Sequence, residues 1–171
     1  MVQRPITFPS AGTRALRLEG ILHVAEGHGQ LPAAVICHPH PLGGGSMHNG
    51  VVEAIARGLA SRGVTALRFN FRGVGASEGV HDNGRGERDD IAGAQNWLLA
   101  QPAVDARRVS LVGYSFGACV ALARAYFDPT VSAFAAVGLA VDFCDPVLMR
   151  RLESDDRAFS HSAPRSLTCP K

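Results

Sequence analysis

Lysine is almost missing from this chain of 171 residues. Sixteen of its seventeen cations are arginine, and the one lysine is Lys171. That absence excludes a lysine-dependent phosphate loop: Gly43-Gly44-Gly45 has no Gly-Lys-Ser/Thr ending. The arginines are spread along the chain and the net charge is only +2, so nucleic acid is not expected as a partner. There is no C-x-x-C pair among Cys37, Cys119, Cys144 and Cys169, which argues against a zinc ribbon or a disulfide scaffold. No run of 18 apolar residues occurs, so no membrane span is expected. The opening MVQRPITFPSAG carries no apolar stretch of the secretory-leader type. A cytoplasmic protein with free thiols is the resulting expectation.

What the sequence does have is a globular balance, 46% hydrophobic and 19% charged. Ile6–Phe8 and Leu16–Val24 alternate like antiparallel strands. Ala33–Cys37 is a short unbroken apolar run of the kind buried on both faces of a sheet, Val64–Phe71 and Val131–Val141 read as further buried strands, and Val109–Gly113 reads as a strand. Between them lie helical patterns: Val52, Ile55 and Leu59; Ile91, Ala94 and Leu98; Phe116, Val120, Ala123 and Phe127. Glu87, Asp89 and Asp90 suit the first turn of the second helix, where the macrodipole favours negative charge. Strands alternating with helices predict one α/β domain over residues 1–171, with a mostly parallel sheet and helices on both faces.

Gly113-Tyr114-Ser115-Phe116-Gly117 is a G-x-S-x-G placed where a strand meets a helix. A sharp turn there lifts a serine hydroxyl above the sheet, and the flanking glycines allow strand and helix to touch. Ser115 is the expected nucleophile. The Phe116 amide, at the helix N-terminus, is one expected oxyanion donor. The second should come from His38–Gly45, the loop leaving the first parallel strand. Pro39 and Pro41 have no N–H, which leaves His40 first and Leu42 second. His38, His40 and His48 lack evident acidic or thiol partners, so no metal is expected there. No other cofactor is implied. Arg72–Ser77 does not match a dinucleotide fingerprint and reads as a turn whose Arg and Ser brace neighbouring loops.

Three motifs in this order resemble the α/β-hydrolase superfamily, and within it small bacterial hydrolases of largely unassigned substrate. They are C-H-P-H-P-L with its glycines at Cys37–Gly45, N-F-R-G-V-G-x-S at Asn70–Ser77, and the Gly-Tyr-Ser-Phe-Gly elbow. The likeness runs from about Leu18 to Lys171. It implies hydrolysis of an ester, thioester or amide in a small acyl substrate, through an acyl-enzyme on Ser115. It also implies an acid and a histidine on strands beyond the one matching Val131–Val141. Those strands have no counterpart here, so a C-terminally shortened core with little esterase activity is expected.

Asp142 and His161 follow Ser115 in the required order, but His161 sits in a Ser/Pro/Asp-rich tail with no strand to place it. His38 and His40 could reach Ser115 or simply support their loop. An uncovered Val131–Val141 would be an apolar edge able to pair with another chain. The alternative expectation is therefore a non-catalytic binding or assembly module on a degenerate hydrolase core.

Overall fold

The computed structural model describes residues 2–154. Six strands form one sheet in the order β1-β2-β4-β3-β5-β6. They are β1 (Val2–Pro9), β2 (Arg17–Val24), β3 (Leu31–Cys37), β4 (Thr65–Phe69), β5 (Val104–Tyr114) and β6 (Ala133–Val137). β1, β2 and β4 pair antiparallel, and β4, β3, β5 and β6 run parallel. The helices are α1 (Gly50–Ala60), α2 (Gly86–Leu99), α3 (Phe116–Phe127) and α4 (Pro146–Ser154). No helix among the described residues is long and apolar enough to cross a membrane.

Strand alternation decides which helix covers which face. Ala34 and Ile36 of β3 point one way and pack with Ala66, Val112 and the α1 residues Val52 and Ala56. Ala33, Val35 and Cys37 point the other way, onto Ile91 and Leu98 of α2 and Phe116 and Val120 of α3. Both faces of β3 are thus covered, which is why Ala33–Cys37 is wholly apolar, whereas β4 also buries Arg68, bonded to His23 and the Met47 carbonyl.

Two expectations need correction, and a third gains a role. The run Val131–Val141 contains a strand only over Ala133–Val137, and it is not buried. Four of its five residues are exposed, because only β5 pairs with it among the described residues. The first turn of α2 holds Glu87 and Asp89, as expected, and packing adds a second role at Glu87 and Asp90. Both are fully buried. Asp90 takes the Arg72 guanidinium through Nη2 at 2.8 Å and the Arg72 amide at 3.0 Å. Burial raises the Asp90 pKa, and the Arg72 contacts oppose that rise. Finally, Cys119 and Cys144 form a disulfide, Cα–Cα 4.8 Å apart. The two lie 25 residues apart, so only folding brings them together. Cys37 is free and buried.

Candidate active site

Ser115 sits between the last residue of β5 and the first of α3, half-buried, with φ 55° and ψ −119°. A positive φ with that ψ is costly for any residue with a Cβ, and such strain survives where the surroundings fix it. Here the Ser115 amide donates to the Val137 carbonyl of β6 at 3.0 Å, while its carbonyl accepts the amides of Ala118 and Cys119. The turn is clamped on both sides. A Cβ on Gly113 would strike the backbone of Ala118, and one on Gly117 would strike the Cys37 and His38 carbonyls. The two glycines are therefore required by close backbone approach. Replacing Ser115 by glycine should relieve the strained backbone and stabilise the fold by about 1 kcal/mol. Urea unfolding of Ser115→Gly against the wild type would measure this, and an unchanged or lower midpoint would contradict it.

The loop after β3 arches beside the elbow. Gly43 and Gly45 both donate their amides to the His40 carbonyl at 3.0 Å, so the chain curls round His40. His40 Nδ1 accepts the Leu42 amide at 3.2 Å. Leu42's N–H is thus occupied, whereas the His40 and Phe116 amides make no hydrogen bond among the described residues. The His40 ring lies 4.7 Å from that of Phe116. Burial and neighbouring His81 hold the His40 pKa below its usual value.

His38 is a loop support. Its Nδ1 lies 2.7 Å from the Pro39 carbonyl, and its Nε2 accepts the Phe71 amide at 3.1 Å. Both ring nitrogens are engaged by backbone, so the β3 and β4 loops are tied together. Burial pushes its pKa down from 6.5 to about 4. The unfolded chain therefore binds a proton that the folded chain refuses between those values. Stability is full above about pH 6.5 and falls by about 3 kcal/mol as pH drops through 6.5 towards 4. Urea titrations at pH 7 and pH 4.5 should show that loss in the wild type and a smaller one in His38→Gln. Equal pH slopes would contradict it.

Asp142 lies in a 3-10 turn, Val141–Phe143, after β6. It is exposed, with no hydrogen bond or ion pair among the described residues. Asp145 caps α4 through the Val147 and Leu148 amides and pairs with Arg88 at 3.5 Å, which is a structural role. His48 is exposed, 3.9 Å from Glu53. His161 lies outside the described residues. Among the described residues, no side chain hydrogen-bonds the Ser115 hydroxyl.

The fold also gathers residues that periodicity did not single out. His81 and Phe143 stand 5.0 Å and 5.2 Å from the His40 ring. His81 Nδ1 lies 2.8 Å from Glu87 Oε1, with its N–H off the line of the carboxylate, and neither ring nitrogen makes an aligned hydrogen bond. Glu87 instead accepts the Asp82 and Gly84 amides at 2.9 Å each. A cleft of about 440 Å³ runs between Leu42, Gly44 and Gly45 on one side and Gly73, Val74 and His81 on the other. The available signal was Gly84, three residues before Glu87, whose φ of 86° and amide bond place it in the turn around that carboxylate.

A family model, X-Pro dipeptidyl-peptidase (S15 family), matches residues 21–153. The chain belongs to this family, within the α/β-hydrolase superfamily. A lidless α/β serine hydrolase from Xanthomonas campestris superposes on this chain with a TM-score of 0.68 at 30% identity, over 91% of this chain and 80% of that one. An uncharacterised protein of Rickettsia prowazekii is 41% identical over 65% of this chain and 46% of its own length. A thiohydrolase of Arthrinium phaeospermum is 37% identical over 48% of this chain and 28% of its own. The chain thus spans about half, or less, of the length of these curated relatives. The family match runs from within β2 almost to the end of α4 and takes in the elbow and the His38–Gly45 loop.

Proposed function

We propose that this chain carries the nucleophile and oxyanion side of a serine hydrolase that cleaves an ester, thioester or amide through an acyl-enzyme on Ser115. The observation that carries this reading is the clamped, positive-φ Ser115 at the head of α3. The unbonded Phe116 and His40 amides are the donors for the developing oxyanion. Leu42 is the weaker choice, because its N–H already serves His40 Nδ1. The Arthrinium thiohydrolase supports a thioester among the candidate substrates. No imidazole among the described residues takes the Ser115 proton, so the isolated chain should acylate slowly. Asp142 and His161 are the residues of this chain that could supply acid and base.

A fluorophosphonate probe tests the reading. Covalent capture at Ser115 supports it, and failure to label the folded chain overturns it. The second reading, an assembly module, is favoured by the outer edge of β6. Ala133, Ala135, Ala136 and Val137 are exposed there, and a second copy could add its strand to that edge. A concentration-dependent dimer by light scattering, with an unlabelled Ser115, would select the module. A labelled monomer would reject it.

A further inference from the structure

The Cys119–Cys144 pair joins two parts of the site that are distant in sequence. Cys119 lies one turn into α3, and its amide donates to the Ser115 carbonyl at 3.3 Å. Cys144 closes the 3-10 turn that holds Asp142 and Phe143. Both sulfurs face the Ala140 carbonyl, at 3.0 and 3.7 Å. The Phe143 ring packs at a tilt against His40, and His40 does the same against Phe116. The pair therefore ties the nucleophile's helix to the segment that braces the oxyanion loop.

Cys119 and Cys144 are buried, at 4% and 5% exposure, so the route to them is a cavity. Cys119 and Cys144 line a cavity of about 240 Å³ with Gly84, Arg85, Arg88 and Phe143. Arg88 is 40% exposed, reaches Asp145 only at 3.5 Å, and has a buried Nε without a hydrogen-bond partner. Two arginines line this cysteine-bearing cavity against one carboxylate, Asp145, and that balance favours an anionic, sulfur-bearing visitor.

We propose that Cys119 and Cys144 are a reversible redox latch, exchanged by a small carboxylate-bearing thiol/disulfide couple of the glutathione class that docks against Arg85 and Arg88. This regulation rests on the reading of Ser115 as the nucleophile. To close the latch, the Cys144 thiolate attacks one sulfur of the small disulfide, breaking its S–S bond and releasing one small thiolate. Cys119, as thiolate, then attacks Cys144 Sγ and displaces the second small thiolate. The two cysteines lose two electrons and two protons, and the small disulfide becomes two thiols. The reverse sequence opens the latch. Closed, it holds Phe143 against His40; open, the 141–145 turn is freed and the His40 loop loses its brace.

The full chain should be equilibrated with glutathione couples from fully oxidised to fully reduced, quenched with acid, denatured and alkylated, and mapped by mass spectrometry. Cys119 and Cys144 should be protected together when oxidised and alkylated together when reduced. Fluorophosphonate labelling of Ser115 should slow about five-fold on reduction, a coupling of the size common between linked sites. Cys144→Ser should label at the slow rate in both couples. Arg88→Glu should slow closure by glutathione disulfide several-fold more than closure by cationic cystamine. The latch is overturned if Cys119 and Cys144 stay alkylatable in excess oxidised glutathione, or if oxidised and reduced chains label equally. It is also overturned if Arg88→Glu slows both reagents alike. Absence of labelling in both redox states would instead overturn the reading of Ser115. The latch would then be judged on alkylation and on faster proteolysis of the 138–145 segment in the reduced chain, and equal proteolysis would reject it.

Discussion

Ser115→Ala should reduce fluorophosphonate capture, and any hydrolysis of p-nitrophenyl acetate, to background, a loss of roughly 10³-fold or more. The substitution removes one oxygen and leaves the elbow as it was. The Ser115 backbone bonds to Val137, Ala118 and Cys119 persist, and alanine pays the same strain at φ 55°. Thermal and urea midpoints should therefore stay close to wild type while labelling vanishes. That contrast separates loss of a nucleophile from loss of fold. The starting rate is expected to be low, since no hydrogen bond to the hydroxyl activates it among the described residues. The probe is the better assay for that reason: it reports a single acylation-like event and needs no turnover. Labelling that persists in Ser115→Ala would place the reactive group elsewhere.

Gly117→Ala should cost about 3 kcal/mol or more and leave little folded protein, with Gly43→Ala as its silent control. A Cβ at Gly117 has backbone on its path: the Cys37 carbonyl oxygen at 2.6 Å, with the His38 carbonyl nearer still. Neither can swing aside, because Cys37 is paired to Gly113 in the sheet and His38 is held at both ring nitrogens. Relief would require moving α3 away from β3, opening the face that buries Val35, Cys37, Phe116 and Val120. Gly43 has nothing within 4 Å of the same added atom, so its alanine should change stability by less than about 0.5 kcal/mol. Urea midpoints of the two variants decide the matter. A Gly117→Ala chain as stable as Gly43→Ala would mean that the strand–helix contact is looser than the geometry described.

The elbow and the loop after β3 were legible because both are local. G-x-S-x-G at a strand–helix junction and a Pro/Gly loop after an apolar run each state their geometry within a few residues. The choice between His40 and Leu42 was narrowed by proline's missing N–H, and the His40 ring then occupied the Leu42 amide. Arg72 was readable as a brace, but its partner was not. Asp90 looked like an ordinary acidic residue in a first helical turn, and only packing shows it at zero exposure against the guanidinium.

By itself, the sequence determined the α/β class, the two helix-covered faces, the sharp Ser115 turn and its glycines, because each follows from short-range periodicity or from steric limits on one turn. Tertiary structure decided the rest. It set His81, Phe143 and Phe116 around His40, joined Cys119 to Cys144 across 25 residues, and left β6 with one strand neighbour among the described residues. Those outcomes depend on contacts between segments far apart in the chain. Apolar patterning shows that a residue seeks cover, but the fold alone supplies the partner that covers it.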